Sequence, residues 1–146
     1  MSGDKALYFL DTNVLVYAHD KSAGEKQQKA GAIVTALWMS GNGCLSVQVL
    51  QEFYVNITQK VAQRLDKEVA LQIIKDLACW RIHVPDAADV LKAIEIQLAH
   101  KISFWDAMII RSAQAMRCQT LWTEDLQAGQ LIAGVRAVNP FALQGN

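Results

Sequence analysis

Hydrophobic positions along the chain fall into short uninterrupted runs that alternate with longer stretches at helical spacing. The first run, Ala6–Leu10, ends at Asp11, and an apolar run of this length bounded by polar residues suits a strand buried on both faces. Over residues 25–39, Ala30, Ile33, Val34, Leu37 and Trp38 recur at helical spacing, and Gly41-Asn42-Gly43 ends that helix. Cys44-Leu45-Ser46 reads as a second strand. Ser46 then caps a helix that aligns Val47, Leu50, Phe53, Tyr54 and Ile57. Asp66 caps a further helix, with Val69, Leu71, Ile73, Ile74 and Leu77 available for burial. Residues 81–84, before Pro85, form a third strand. A helix from Asp86 or Ala87 to about His100 carries Val90, Leu91, Ile94 and Leu98 as its buried stripe. Ser103 caps the next helix, which contains Trp105, Met108, Ile109, Ile110, Ala113 and Met116. Residues 120–122 form a fourth strand, a helical turn follows near 126–131, and residues 135–138 form a fifth strand before Asn139-Pro140.

Strands that alternate with helices predict an α/β fold: a central, mostly parallel, five-stranded sheet flanked by helices. At 146 residues the chain suits one domain spanning 1–146, with enough core to need neither disulfide nor structural metal. The odd set Cys44, Cys79 and Cys118, without a CxxC pair, agrees, and all three read as small core residues. No apolar run is long enough to span a bilayer, and the N-terminus lacks a secretory apolar stretch, so a cytoplasmic, soluble protein is expected. Fourteen basic and fourteen acidic side chains cancel, which excludes a strongly basic nucleic-acid binder but not a local basic patch.

In a parallel sheet the ligand site lies beyond the carboxyl ends of the strands, so chemistry is sought just after each strand. Asp11 follows the first strand directly, and Asp125 follows the fourth with Glu124 beside it. Glu52 lies in the second turn of the helix after the second strand, at the border of its apolar stripe, and Asp106 in the first turn of the helix capped by Ser103. A carboxylate facing inward needs a partner, and no basic residue lies near Asp11. A divalent, oxygen-seeking cation, Mg2+ or Mn2+, is the natural counter-charge for four acids on one rim. Singly, each acid has a plainer reading. Ser103-Phe104-Trp105-Asp106 fits a capping box, Thr123-Glu124-Asp125 fits the cap of a turn, and Glu52 fits a solvated border. Asp11, at the end of a central buried strand, has few structural excuses.

Four segments, Phe9-Leu10-Asp11-Thr12-Asn13-Val14-Leu15, Gln51-Glu52-Phe53, Ser103-Phe104-Trp105-Asp106-Ala107 and Leu121-Trp122-Thr123-Glu124-Asp125-Leu126, resemble those of a PIN domain, especially the VapC-type ribonuclease toxins of bacterial toxin–antitoxin systems. The resemblance runs from about residue 7 to about residue 140. It implies a metal-dependent endoribonuclease on a PIN-like, Rossmann-like three-layer fold, usually a homodimer, silenced by a cognate antitoxin protein. Asp11, Glu52, Asp106 and Asp125 match the family's acidic, metal-holding quartet. Asn13 matches the polar residue of its first motif, and Thr123 the hydroxyl residue before the last acid; Glu124 has no assigned role. Carboxylates of this kind hold Mg2+, or Mn2+ as substitute, which acidifies water and offsets charge on an RNA phosphodiester.

Other readings are weaker. A haloacid-dehalogenase-like phosphatase needs a second Asp where Asn13 stands. A receiver-like signalling domain needs paired acids after the first strand and a lysine after the last. A catalytically silent PIN-fold module that binds RNA or protein remains the alternative. The sequence shows no Ser-His-Asp grouping, and His83 reads as a satisfied core residue. Two basic groups, Lys21/Lys26/Lys29 and Lys60/Arg64/Lys67, are candidates for a phosphate track. The apolar surplus of residues 47–79, with Phe53, Tyr54, Ile57, Val61, Leu71 and Ile74, is the expected contribution to a homodimer.

Overall fold

A computed structural model describes residues 6–142. The ends of the expected domain, residues 1–5 and 143–146, lie outside the described residues. The elements run β1 (Tyr8–Leu10), α1 (Thr12–His19), α2 (Glu25–Ser40), β2 (Gly43–Ser46), α3 (Val47–Gln59), α4 (Lys67–Leu77), β3 (Arg81–His83), α5 (Ala87–His100), α6 (Phe104–Ala115), β4 (Thr120–Trp122), β5 (Leu131–Ile132) and β6 (Val135–Val138). The sheet order is β3-β2-β1-β4-β6-β5, parallel throughout except where β5 pairs antiparallel with β6.

The five expected strands are present. Phe9, Leu10, Leu45 and Leu121 are fully buried, as parallel strands covered on both faces require. Helices α1 to α4 pack among themselves and α5 packs on α6. Right-handed crossovers place these two groups on opposite faces of the sheet. The chain winds from β1 to β2 and β3 in one direction, then returns to β4 and β6 on the other side of β1. The order therefore reverses between β1 and β4, and the crevice at their carboxyl ends is where this topology holds ligands.

The sixth strand is a correction. Where a helical turn near 126–131 was expected, Leu131–Ile132 forms a hairpin with β6. Ala133 and Gly134 both take positive φ, 53° and 82°, which is the two-residue turn that matches strand twist. Helix α1 was not foreseen either. Its apolar stretch Val14–Ala18 carries no alternation to betray a helix, and only one residue, Asp11, separates it from β1.

Three further expectations change. On α5 the inward residues are Asp89, Ala93 and Ile96, whereas Val90, Leu91, Ile94 and Leu98 face out. The cause is Asp89. Its Oδ1 accepts from Arg111 Nε at 2.8 Å and its Oδ2 lies 3.3 Å from His83 Nε2, which turns the helix about its axis. On α4 the inward row is Ala70, Ile73, Ile74 and Leu77, leaving Val69 and Leu71 exposed. Cys44 and Cys118 are buried, but Cys79, in the turn after α4, is exposed. The anticipated caps hold at Ser46 and Ser103, whose hydroxyls accept from Val49 and Asp106 N–H, and at Asp86, which forms a full capping box with Asp89. Gly41, at φ 73°, closes α2 in the left-handed conformation.

Candidate active site

The crevice at the reversal point is a cleft of about 400 Å³ lined by Asp11, Asn13, Glu52, Asp106 and Asp125 among others. Asp11 ends β1 and caps α1. Its Oδ1 accepts from the Thr12 N–H at 2.7 Å and its Oδ2 accepts from the Thr123 hydroxyl at 2.6 Å. Thr123 leaves β4 fully buried, and its oxygen also accepts from the Asp125 N–H at 3.1 Å. Thr123 thus joins the two strand ends that carry Asp11 and Asp125. This is a positioning role consistent with its place in the motif.

Asp11, Asp106 and Asp125 each present a carboxylate oxygen, and these three oxygens lie within 4.8 Å of one another. Like charges this close need a counter-charge. No ion pair among the described residues reaches them. Burial, then the neighbouring Asp125 and Asp106, drive the Asp11 carboxyl up to about 7, against the opposing hydrogen bonds from Thr123 and Thr12. Asp125 is also raised, by burial and by Asp106. The Asn13 amide tempers that rise, yet both its polar atoms are buried without a partner in hydrogen-bonding geometry. Crowded carboxylates with an amide beside them are the donor set that suits a hard divalent cation.

The capping alternatives resolve on the same geometry. In α6 the Ser103 hydroxyl accepts from the Asp106 N–H, but the reciprocal bond that closes a capping box is present only in α5. The Asp106 carboxylate is therefore left to the cluster. Glu52 stands apart from the three. It faces the same cleft, with Oε1 accepting from the Thr12 hydroxyl at 2.6 Å and Oε2 from Gln48 Nε2 at 3.2 Å. Thr12 and Gln48 were missed in the sequence, although Gln48 sits one helical turn before Glu52 and Thr12 is the centre of the Asp-Thr-Asn motif. Glu124 turns away from the cluster. It accepts from the Tyr17 hydroxyl at 2.6 Å and from Lys26 Nζ at 2.8 Å. Burial raises its carboxyl, and these two bonds outweigh that and hold it below the ordinary range.

Lys26 is thereby occupied, and Lys29 pairs with Glu25, so most of the first basic group is neutralised internally. In the second group Lys60 lines the cleft. His83 is satisfied, as expected, but it is not isolated. Its Nδ1 lies 2.9 Å from Ser112 Oγ and its Nε2 faces Asp89, a Ser-His-Asp series invisible in the spacing. Ser112 is 1 % exposed, so no substrate reaches it, and the series ties β3, α5 and α6 together instead.

Comparison with known proteins agrees with this geometry. The chain matches the PIN domain family over residues 8–131. No curated protein matches. Among solved structures it is similar to a toxin–antitoxin complex from Klebsiella pneumoniae, at 19% identity and TM-score 0.70, covering 95% of this chain and 100% of that one. It is also similar to VapC20 of Mycobacterium tuberculosis, described as a sarcin-ricin loop cleaving toxin, at 20% identity and TM-score 0.62, covering 81% and 89%. A third is FitAcB from Neisseria gonorrhoeae, at 21% identity and TM-score 0.66, covering 94% and 100%. No helix among the described residues is long and apolar enough to cross a membrane. A family match over residues 8–131, most of the chain, makes it a member of the PIN domain family.

Proposed function

We propose that the protein is a Mg2+- or Mn2+-dependent endoribonuclease that hydrolyses RNA phosphodiester bonds in the cytoplasm, as the toxin of a toxin–antitoxin pair. The observation that carries this is the convergence of Asp11, Asp106 and Asp125, brought to one crevice from three separate elements. These three would hold the cation, with Glu52 completing the acidic wall of the cleft. A bound divalent cation supplies a water acidified toward neutral pH and offsets charge on the phosphodiester. The chain does the rest. Thr123 and the Thr12 N–H fix both oxygens of Asp11. Thr12 and Gln48 fix Glu52, so the acids are held before substrate arrives. Asn13 sits beside Asp125 in the cleft, placed to orient a water or a phosphate oxygen. Lys60 faces the cleft as a cation for a neighbouring phosphate.

The similar structures include a sarcin-ricin loop cleaving toxin and a toxin–antitoxin complex. Similarity to those proteins favours RNA as substrate and an antitoxin protein as partner for this chain too. A second copy is the other expected partner, and the apolar face of α5 is the surface for it. The test is cleavage of end-labelled RNA by purified protein in Mg2+, Mn2+ and EDTA. Cleavage is expected with either metal, and both EDTA and Asp11→Asn should abolish it. Metal-independent cleavage, or full activity in Asp11→Asn, would contradict the assignment. A wild type that binds RNA without cleaving it would favour the silent module.

A further inference from the structure

Trp105 is the neighbour of Asp106 in the first turn of α6, and its side chain stands in solvent. The residue is 61 % exposed while lining the same cleft as the carboxylates. An indole left in water forfeits a large burial gain, so its place at the cleft rim calls for something that covers it. Phe104 meets the indole edge to face, with centroids 5.0 Å apart at 74°. The Trp105 carbonyl accepts from Gln48 Nε2 at 3.3 Å, and the same nitrogen donates to Glu52. Its backbone is thus tied to the acidic wall, one peptide unit from a carboxylate of the cluster.

The cleft also carries Lys60, whose ammonium has no acidic partner among the described residues. A cation, clustered carboxylates and an exposed aromatic face lie around one cavity. That set matches the parts of a nucleotide, namely phosphate on either side of the scissile bond and a base with a π-face. With a formal net charge of zero, the chain draws little affinity from long-range attraction to RNA, so local contacts must supply it.

We propose that Trp105 is a base-stacking platform: an unpaired base flanking the scissile phosphate packs on its indole. The proposal rests on the ribonuclease reading above. A base inside an A-form duplex has both faces stacked and offers none to an indole. A docked protein segment would also cover the ring. Lys60 and the carboxylates line the same cleft as the ring, and that company favours an anion that carries a base.

The test is fluorescence anisotropy of a labelled 12-nucleotide RNA of mixed sequence, single-stranded or annealed to its complement, in Ca2+ to slow turnover. Wild type should bind the single strand at least tenfold more tightly than the duplex. Trp105→Ala should weaken single-strand binding roughly ten- to a hundredfold and erase the preference. Trp105→Phe should stay within about threefold of wild type, because it keeps a stacking face. Replacing single bases by abasic sites should weaken wild type at one position and leave Trp105→Ala indifferent. An unchanged dissociation constant in Trp105→Ala overturns the platform, and is what a protein-docking role predicts. Equal losses in the Ala and Phe variants overturn it as well. RNA cleavage by wild type, run in parallel with Mn2+, separates the two claims. Cleavage with an unchanged KM in Trp105→Ala sinks the platform alone, whereas no cleavage and no binding by wild type sinks the ribonuclease reading and the platform with it.

Discussion

At the scale of single residues, Asp11 makes the sharpest prediction. In metal-free protein its carboxyl is pushed up to about 7 from 3.8, so between those values the folded chain holds a proton that the unfolded chain releases. This favours folding fully below about pH 4, and the advantage disappears as pH rises through about 7. In EDTA the melting temperature should therefore fall between pH 5 and pH 8, by the equivalent of up to roughly 3 kcal/mol from this group. Asp11→Asn should flatten that slope, and saturating Mn2+ should flatten it in wild type. A slope equal in wild type and Asp11→Asn would mean that Asp11 does not titrate as its burial implies. Much of this was legible in the sequence. An acid at the end of a buried strand has few bland explanations, and Asp11, Asn13, Glu52, Asp106 and Asp125 all line the crevice, with Thr123 buried behind Asp11. Trp105, Thr12 and Gln48 were not legible as site residues. A tryptophan at helical spacing reads as core, and the Thr12 hydroxyl reaches Glu52 from 40 positions away.

At the scale of elements, the Asp89 cluster explains how α5 is oriented, and it can be broken independently of the active site. Asp89 accepts from Arg111 and from the Asp86 N–H and faces His83, and it is buried. Asp89→Ala leaves Arg111 without its carboxylate partner and removes the capping box, at a cost of about 3 kcal/mol. For a chain of this size that lowers the melting temperature by roughly 6–12 °C. The gain on adding Mn2+ should be unchanged, since no group of this cluster lines the cleft. A loss below about 1 °C would show that the cluster does not hold the helix. This is also where pattern reading failed. Val90, Leu91, Ile94 and Leu98 form the more hydrophobic stripe, yet the buried charge decides which face turns inward. Strand positions and caps were read more securely. A run such as Ala6–Leu10, a Ser before a periodic stretch and a Gly after one are local signals that tertiary contacts did not override.

At the scale of the whole molecule, the outward stripe of α5 calls for a partner surface. Leu91 and Leu98 are 64% and 76% exposed, and Ile94 lies between them on the same face. The surplus expected in residues 47–79 is smaller, because Phe53 and Ile57 are fully buried and Leu71 alone of that set is exposed. Light scattering at micromolar concentration should give a dimer for wild type and a monomer for Leu91→Glu with Leu98→Glu. A wild-type monomer would contradict the pairing. The fold class was readable from the alternation of strands and helices. The reversal of strand order, which puts Asp11 beside Asp125, depends on pairing between distant segments, which spacing alone does not encode.

The central claim is that Asp11, Asp106 and Asp125 form one cation site. Its most direct test is a melting series of wild type, Asp11→Asn and Asp125→Asn, in EDTA and in millimolar Mn2+ at constant ionic strength. At a hundred times the dissociation constant, bound metal adds about 2.7 kcal/mol, or roughly 5–11 °C. Wild type should show that gain. Each variant should melt higher than wild type in EDTA, where repulsion is relieved, and should gain less from Mn2+. Equal gains in all three proteins would contradict the site.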